Sequence, residues 1–437
     1  MLAYTAPLRR ELAAALPDRP FTLEFWDGTR LAPTAPGGLT VFVRSPRAIG
    51  HVLHARSQLG LARAYVAGEL DVDDLDELTP LIDGWKPPAL DRRTRLRLAV
   101  AGARAAGLAR MPCPPAAELQ VNGRQHDPER DTVAVRHHYE LPPEFYALFL
   151  DTSMTYSCAL FSRGAATLEA AQEAKLELSA RKLALEPGQR VLDVGCGWGA
   201  FAIHAARHHG AHVLGITLSK QQAAFARRRA ESAGVAARTE FRVMDYRDVR
   251  GWFDAIVSIG MVEHVGQVQI DRYAQGLAGQ LRPGGRLLNH GIATLCPEEF
   301  HPSEFTQRYV FPDGELLHLS RTLAALEQSG LETLHVEGLR ADYATTLHHW
   351  ARRLDQRLDQ ARRLVGKERT RVWRLYLRGA AHGFETGMFS VYQVLTVRDD
   401  RRSPALEAAV PEARRTWVPA LASSDGERSE LAEPVRG

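Results

Sequence analysis

Apolar and polar positions along this chain change period several times, and each change marks an element. Phe21, Leu23 and Phe25 alternate with Thr22 and Glu24 ahead of Asp27-Gly28, which predicts a strand running into a tight turn. Val41-Phe42-Val43 predicts a second strand. From Pro46 to Ala67 the period becomes helical, with Ile49, Leu53, Leu59, Leu61 and Tyr65 as core positions, so a small α+β unit is expected. Asp91 to Arg110 holds Arg92, Arg93, Arg95, Arg97, Arg104 and Arg110 between Leu, Ala and Val, the pattern of a basic amphipathic helix. Met111-Pro112-Cys113-Pro114-Pro115 breaks it, and polar residues follow to Asp131.

Beyond that linker, apolar strand runs alternate with helical ones: Arg190 to Gly195, Ala211 to Leu218, Glu240 to Met244, Phe253 to Ile259 and Arg286 to Ala293. This rhythm predicts an α/β fold with a mostly parallel, doubly wound sheet. Helices over Thr345 to Gly366 and Glu368 to Gly379 and a strand over Ser390 to Val397 complete it. Past Arg398 the apolar period is lost, and a disordered tail is expected. The expected division is an N-terminal lipid- or membrane-associated unit over 1–110, a linker over 111–130, a catalytic domain over 131–398 and a tail over 399–437.

Composition alters this picture little. The chain has 437 residues, 45% hydrophobic and 24% charged, which is globular, and 55 Lys+Arg against 52 Asp+Glu leave a net charge of +3. No nucleic-acid partner is expected from so small a charge, so any basic function is local. Cys113, Cys158, Cys196 and Cys296 form no CxxC pair and no His stands at zinc-finger spacing, so no metal is expected. With no secretory h-region and no uninterrupted apolar run of about 18 residues, a cytoplasmic protein with reduced thiols is expected.

The chemistry is concentrated at strand ends. Val191-Leu192-Asp193-Val194-Gly195-Cys196-Gly197-Trp198-Gly199 is a buried strand ending in three alternating glycines, where the backbone can turn sharply and approach a ligand. The spacing differs from the dinucleotide GxGxxG, which speaks against a nicotinamide cofactor. It resembles the first motif of Rossmann-like S-adenosylmethionine methyltransferases, whose glycine loop holds the amino acid end of that cofactor. The next strand end offers Thr217 and Gln222 as neutral hydrogen-bonding groups. At the third, Asp245 is either an acceptor for the adenine amino group or a helix N-cap, with Tyr246 packing on the ring. After the fourth comes Ser258-Ile259-Gly260-Met261-Val262-Glu263-His264-Val265-Gly266, without the Asp/Asn-Pro-Pro-aromatic motif of nucleic-acid amine methylation.

Together with His138-Tyr139-Glu140, Met154-Thr155-Tyr156-Ser157-Cys158, Thr217-Leu218-Ser219-Lys220, Tyr309-Val310-Phe311-Pro312 and Ala341-Asp342-Tyr343, these residues closely resemble the cyclopropane fatty acid synthases and the mycolic acid cyclopropane synthases. The resemblance runs from about Val135 to Val397, and the small N-terminal unit looks like the phospholipid-acting branch. It implies a Rossmann-like class I methyltransferase fold. It also implies methyl transfer from S-adenosylmethionine to a cis double bond of an acyl chain, through a carbocation that loses a proton to bound bicarbonate. Tyr139, Tyr156, Tyr309, Phe311 and Tyr343 would face that cation. The residues matching the bicarbonate site are Cys158, Glu263, His290, Ile292 and Tyr343, with Cys158 and Ile292 acting through their backbone. Those matching the cofactor site are Tyr156, Ser157, Asp193, Gly195, Gly197, Trp198, Gly199, Thr217, Gln222, Asp245 and Tyr246. Bland readings exist for some: His290 as a satisfied core histidine, Cys158 as a small buried side chain, Tyr343 as packing.

Two features depart from the family pattern: Pro142-Pro143, and the segment from Cys296 to Thr306. A thiol position near the family's C-terminus is Ala380 here. The same cation can instead shift a hydride and leave a methylene branch, and Leu61 to Leu70 looks like enzymes of that kind. A small-molecule or sterol methyltransferase and an inactive lipid-binding protein are the other readings. Reaching an acyl chain in a bilayer needs an interfacial surface, and two arginine-rich runs, Arg92 to Arg110 and Arg352 to Arg374, are candidates for contact with an anionic membrane. Peripheral attachment to the inner membrane face and a possible homodimer are expected.

Overall fold

The N-terminal alternation forms a small sheet in the computed structural model, which describes residues 5–35, 38–55, 58–107, 112–119, 130, 141–296 and 303–399. Strands β1 (Thr22–Phe25), β2 (Arg30–Leu31), β3 (Thr40–Val43) and β4 (Leu70–Val72) lie in the order β2-β1-β3-β4, with β1 and β3 parallel and the outer pairs antiparallel. Helices α1 (Ala6–Ala15), α2 (Pro46–His54), α3 (Gln58–Val66), α4 (Leu78–Gly84) and α5 (Arg92–Ala106) accompany it. Leu8, Phe25, Val43, Ala48, Ala64, Ala101 and Ala105 make the shared core. Two helices thus stand where the sequence predicted one over Pro46 to Ala67. The basic helix begins where expected, its Asp91 side chain accepting from the Thr94 N–H at 2.6 Å, but it ends at Gly107, whose φ of +73° stops the turn.

The second sheet carries the five predicted parallel strands: β5 (Arg190–Val194), β6 (His212–Thr217), β7 (Thr239–Val243), β8 (Phe253–Ile259) and β9 (Leu281–Thr294). Two additions follow, the two-residue β10 (Leu317–His318) beside the end of β9 and β11 (Leu331–Gly338), before β12 (Phe389–Arg398). The order is β7-β6-β5-β8-β9-β12-β11, with β12 antiparallel to both neighbours. Because β6 lies on one side of β5 and β8 on the other, the crevice at their carboxyl ends is the topological switch point.

Helices cover both faces of this sheet, which is why its strands read as continuous apolar runs. On one face α6 (Leu168–Lys182), α7 (Ala200–His208) and α8 (Lys220–Ser232) bury Leu176, Phe201, Ala205 and Ala226 against Val191, Val213 and Val257. On the other, α9 (Gly266–Gln280) and, past α10 (Glu304–Tyr309), α11 (Leu319–Gln328) bury Ile270, Tyr273 and Leu326 against Leu192, Val194 and Ile256. An aromatic third cluster, with Phe145, Tyr146, Phe149, Trp198, Trp350 and Trp373, packs beneath α12 (Arg340–Asp355) and α13 (Leu358–Glu385).

Three boundaries differ from expectation. β9 starts at Leu281 rather than Arg286, because Pro283-Gly284-Gly285 forms an irregularity within the strand rather than a turn before it. The late helical region also breaks between Asp355 and Leu358, which the sequence did not mark, whereas the boundary expected at Gly366 is present: its non-helical backbone (φ +79°, ψ 169°) is a kink at which two helices of α13 meet. β11 is a half-buried edge strand without an apolar run, so its sequence carries little signal. Most of the linker, the His138-Tyr139-Glu140 motif and the tail from 400 lie outside the described residues.

Candidate functional site

The glycine loop opens a cleft at the switch point. Gly195, Gly197 and Gly199 all have positive φ (+76°, +52° and +83°), and the N–H groups of Gly195 and Cys196 both donate to the Ile216 carbonyl, at 3.0 and 2.9 Å. Gly195, Gly197 and Trp198 line the cleft; Gly199 does not. A Cβ there would lie 3.0 Å from Ala226 Cβ and from the Phe241 ring, so Gly199 permits close packing of the start of α7 against α8 and β7. Thr217 and Gln222 line the cleft already paired, Thr217 Oγ1 donating to Gln222 Oε1 at 2.7 Å. Asp245 both lines it and caps the turn at Tyr246–Asp248, accepting from the Arg247 N–H at 2.9 Å and from its guanidinium at 2.8 and 2.6 Å. Tyr246 stands beside it, edge-on to Tyr273.

Opposite the loop, the segment carrying Tyr156, Ser157 and Cys158 is pinned from three sides. Asp151 accepts the Thr155 N–H at 2.9 Å, Gln172 of α6 donates to the Ser157 carbonyl at 2.9 Å, and Asp342 and Thr346 of α12 accept the N–H groups of Phe161 (2.6 Å) and Ala159 (3.0 Å). Tyr156 and Ser157 line the cleft with Asp193. Beneath them is a fully buried lysine that the sequence reading missed: Lys175 Nζ donates to Ser157 Oγ at 2.9 Å. Burial lowers Lys175 to about 8 and raises Asp193 to about 7, each partly offset by the other's charge. Asp193 Oδ2 is buried with no hydrogen-bond partner among the described residues.

The five residues expected at the proton-abstraction site gather next to the cleft without lining it. Cys158, Tyr343 and Ile292 share one apolar cluster, and Glu263 joins them through the Ile292 N–H, which donates to Glu263 Oε1 at 2.7 Å. The amide of Ile292 is therefore spent on the carboxylate instead of facing a bound anion. Glu263 Oε2 is enclosed and unpartnered, and burial lifts the carboxyl to about 7. His290, two residues before Ile292 and so on the same face of β9, receives a 3.1 Å hydrogen bond at Nδ1 from Gln393, while its Nε2 is buried without a partner. Burial, with Lys175 and Lys182 nearby, holds His290 well below the usual histidine range, so the ring is neutral. Cys158 is fully buried, its thiol directed at the carbonyls of Ala159 (3.2 Å) and Leu339 (3.6 Å) and raised well above the ordinary range, which excludes a thiolate nucleophile.

Of the expected aromatic faces, Tyr156 and Tyr343 stand against Trp350, at 5.2 and 6.2 Å between ring centres. Tyr309 does not join them: its hydroxyl donates to Glu118 at 2.9 Å in a different cluster, with Leu59 and Tyr65. Tyr376, unremarked in the sequence because it sits mid-helix, stands edge-on to Phe311 with its hydroxyl beside that of Tyr156. Met261, His264 and Gln269 also line the cleft. Pro142-Pro143 starts the short helical turn Pro143–Tyr146, which buries Phe145 and brings the Tyr146 ring to 4.6 Å from Trp198.

The two arginine runs differ in part. Arg353 pairs with Glu169, Arg357 donates to the Leu148 carbonyl, Arg371 donates to the Leu70 carbonyl, and Arg374 shares Asp355 with Arg378 just past the run, so these residues hold the structure together, whereas Arg352, Arg362, Arg363 and Lys367 are exposed. Arg92, Arg93, Arg95 and Arg97 are exposed, beside an exposed Leu96 and Val100. Elsewhere, Glu177 Oε2 accepts from His204 and His209 at 3.1 and 3.0 Å, with Arg181 on Oε1. These three side chains lie close enough for a metal ion, a grouping without sequence spacing because Glu177 comes from another helix, but they already satisfy one another by hydrogen bonds. Among the described residues no helix is long and apolar enough to cross a membrane.

Comparison with known proteins agrees with this geometry. The family model "Mycolic acid cyclopropane synthetase" matches residues 126–394. A probable fatty acid methyltransferase of Pseudomonas putida is 38% identical over 406 residues, 91% of this chain and 95% of that protein. The cyclopropane-fatty-acyl-phospholipid synthase of Escherichia coli K12 is 31% identical over 373 residues, 85% of this chain and 90% of its own. The crystal structure of mycolic acid cyclopropane synthase CmaA1 with SAH and CTAB superposes with a TM-score of 0.59 at 33% identity, over 61% of this chain and 98% of that one.

Proposed function

Because the chain belongs to the mycolic acid cyclopropane synthetase family and is an S-adenosylmethionine-dependent methyltransferase of the cyclopropane synthase type, we propose that it adds one carbon across the cis double bond of an acyl chain in a membrane phospholipid, giving a cyclopropane ring. The observation that carries this reading is the pair of enclosed, unpartnered atoms, Glu263 Oε2 and His290 Nε2, beside an aromatic cluster at the edge of the cofactor cleft. Unsatisfied polar atoms are costly in such surroundings unless something polar binds there.

S-adenosylmethionine supplies an electrophilic methyl group, and bicarbonate a proton acceptor, when each is bound. The glycine loop suits the first, since Gly195 and Gly197 leave backbone open to a ligand, and Tyr156, Ser157, Thr217, Gln222, Asp245 and Tyr246 surround it with hydrogen-bonding groups. Glu263 and His290 suit the second: His290, neutral, offers its Nε2–H to an anion, and Glu263 near 7 exchanges a proton at Oε2. Tyr343 adds a hydroxyl, and the rings of Tyr156, Trp350 and Tyr376 present faces to positive charge while excluding water from it. The exposed arginines of α5, with Leu96 and Val100 beside them, suit an anionic membrane surface from which the acyl chain is taken.

The test is mass spectrometry of phospholipid fatty acids after incubating the enzyme with methyl-labelled S-adenosylmethionine and unsaturated vesicles. A gain of about 14 mass units plus the increment of the isotope, the labelled CH2 left by methyl gain and proton loss, is expected. Proton NMR then separates a ring from a methylene branch, and a branch would overturn the ring while leaving methyl transfer intact. Turnover that is indifferent to added bicarbonate in degassed buffer would remove the assignment of the base.

A further inference from the structure

His290 is connected to a buried polar chain that runs away from the cleft. Gln393 of β12 lies directly opposite His290 of β9 in the antiparallel register and is completely buried. Its Oε1 lies 2.7 Å from Lys182 Nζ and its Nε2 3.1 Å from His290 Nδ1. Lys182, at the end of α6, also bonds the Glu337 carboxylate of β11, whose other oxygen is held by Arg163 at 2.9 Å.

Each hydrogen position along this chain is forced by its neighbour. A lysine nitrogen facing a carboxylate has only protons to offer, so the Gln393 atom facing it must be the oxygen. The amide nitrogen then faces the ring, and since it only donates, Nδ1 must be the ring nitrogen without a proton. A neutral imidazole so held carries its proton on Nε2, the atom left without a protein partner. The reverse tautomer would set two N–H groups against each other at 3.1 Å and present a lone pair where an anion is to bind. We propose that Gln393, oriented by the Lys182–Glu337 pair, is a positioning residue that fixes His290 in its Nε2–H tautomer and so makes it an anion donor. This rests on the reading of Glu263 and His290 as an anion site. None of Gln393, Lys182 and Glu337 lines the cofactor cleft, so their replacement leaves cofactor contacts in place.

The tautomer is read directly by nitrogen-15 NMR of the full chain carrying labelled histidine, with the His290 signals assigned by their loss in His290→Ala. The wild type is expected to show a bare Nδ1 and a protonated Nε2 across pH 6 to 9. In Gln393→Glu the new carboxylate accepts at Nδ1, so that nitrogen becomes protonated. kcat is expected to fall at least tenfold with the KM for S-adenosylmethionine and the affinity for S-adenosylhomocysteine unchanged. Should Gln393→Glu fail to bind S-adenosylhomocysteine, Lys182→Met carries the same test, since the amide is then free to turn and Nδ1 is no longer wholly bare. A protonated Nδ1 in the wild type overturns the proposal, as does a changed tautomer with unchanged kcat. Full turnover by His290→Ala would instead overturn the anion-site reading, whatever the tautomer.

Discussion

Gly195 and Gly199 look equivalent in sequence yet carry different constraints. Both have positive φ, which costs an L-residue about 1–2 kcal/mol. A Cβ on Gly195 meets only the Met261 side chain, at 3.6 Å, whereas one on Gly199 presses on Ala226 and Phe241 at 3.0 Å. Gly195→Ala is therefore expected to cost about 1 kcal/mol of stability but to weaken S-adenosylhomocysteine binding, and Gly199→Ala to cost about 3 kcal/mol by adding steric overlap. Urea unfolding and calorimetric titration of the two variants check the split. Glu263 gives a pH signature. Its folded pKa near 7 lies above the ordinary 4.5, so the folded state binds the proton more tightly. The stability this contributes is fully present below about 4.5 and is lost as pH rises through 7. Glu263→Gln should match the wild type near pH 4, exceed it by on the order of 1–3 kcal/mol above pH 7, and lose turnover; chemical denaturation across pH tests this. The carboxylate was legible just past its strand, but the spending of the Ile292 amide on it was not, because that bond joins β9 to the turn Val262–His264 after β8.

At the scale of elements, the small four-stranded sheet and its helices are tied to the larger sheet region by enclosed polar contacts. Arg63 of α3 pairs with Glu118 at 2.6 Å, both side chains nearly inaccessible, and Glu118 also receives the Tyr309 hydroxyl and sits 3.4 Å from Arg308 of α10. Arg371 of α13 reaches the Leu70 carbonyl and lies 4.0 Å over the Tyr65 ring. Removing one partner of an enclosed ion pair leaves the other charge uncompensated, so Glu118→Ala should destabilise by about 3 kcal/mol. Glu118→Gln, which keeps an acceptor for Arg63 and Tyr309, should cost less. Thermal unfolding followed by tryptophan fluorescence reports both. The sequence placed Tyr309 among the aromatics facing the cation, and it could not do otherwise, since its partner Glu118 belongs to a segment that reads only as polar linker.

For the molecule as a whole, the near-neutral charge hides an exposed basic face on α5 and a second arginine-rich run that is used internally in part. Replacing Arg92, Arg93, Arg95 and Arg97 with Gln is expected to reduce co-sedimentation with anionic vesicles about tenfold or more, with a small loss of thermal stability, because these side chains are exposed while Arg97 also meets the largely enclosed Glu11 carboxylate at 3.4 Å. Equal binding by the variant would remove α5 as the membrane contact. The same substitutions at Arg353, Arg374 and Arg378 should unfold the protein at lower temperature instead, since each holds a carboxylate across helices. The sequence by itself determined the doubly wound α/β class, the glycine loop and the strand ends that bear Glu263 and His290, because apolar period and glycine spacing are local properties. Only the tertiary structure decided that Gly199 packs against Ala226 and Phe241, that Lys175 lines the cleft beneath Ser157, that Tyr309 bonds Glu118, and that Gln393 faces His290. These are contacts between residues far apart in the chain, and a side chain's chemistry is set by whatever folding places against it.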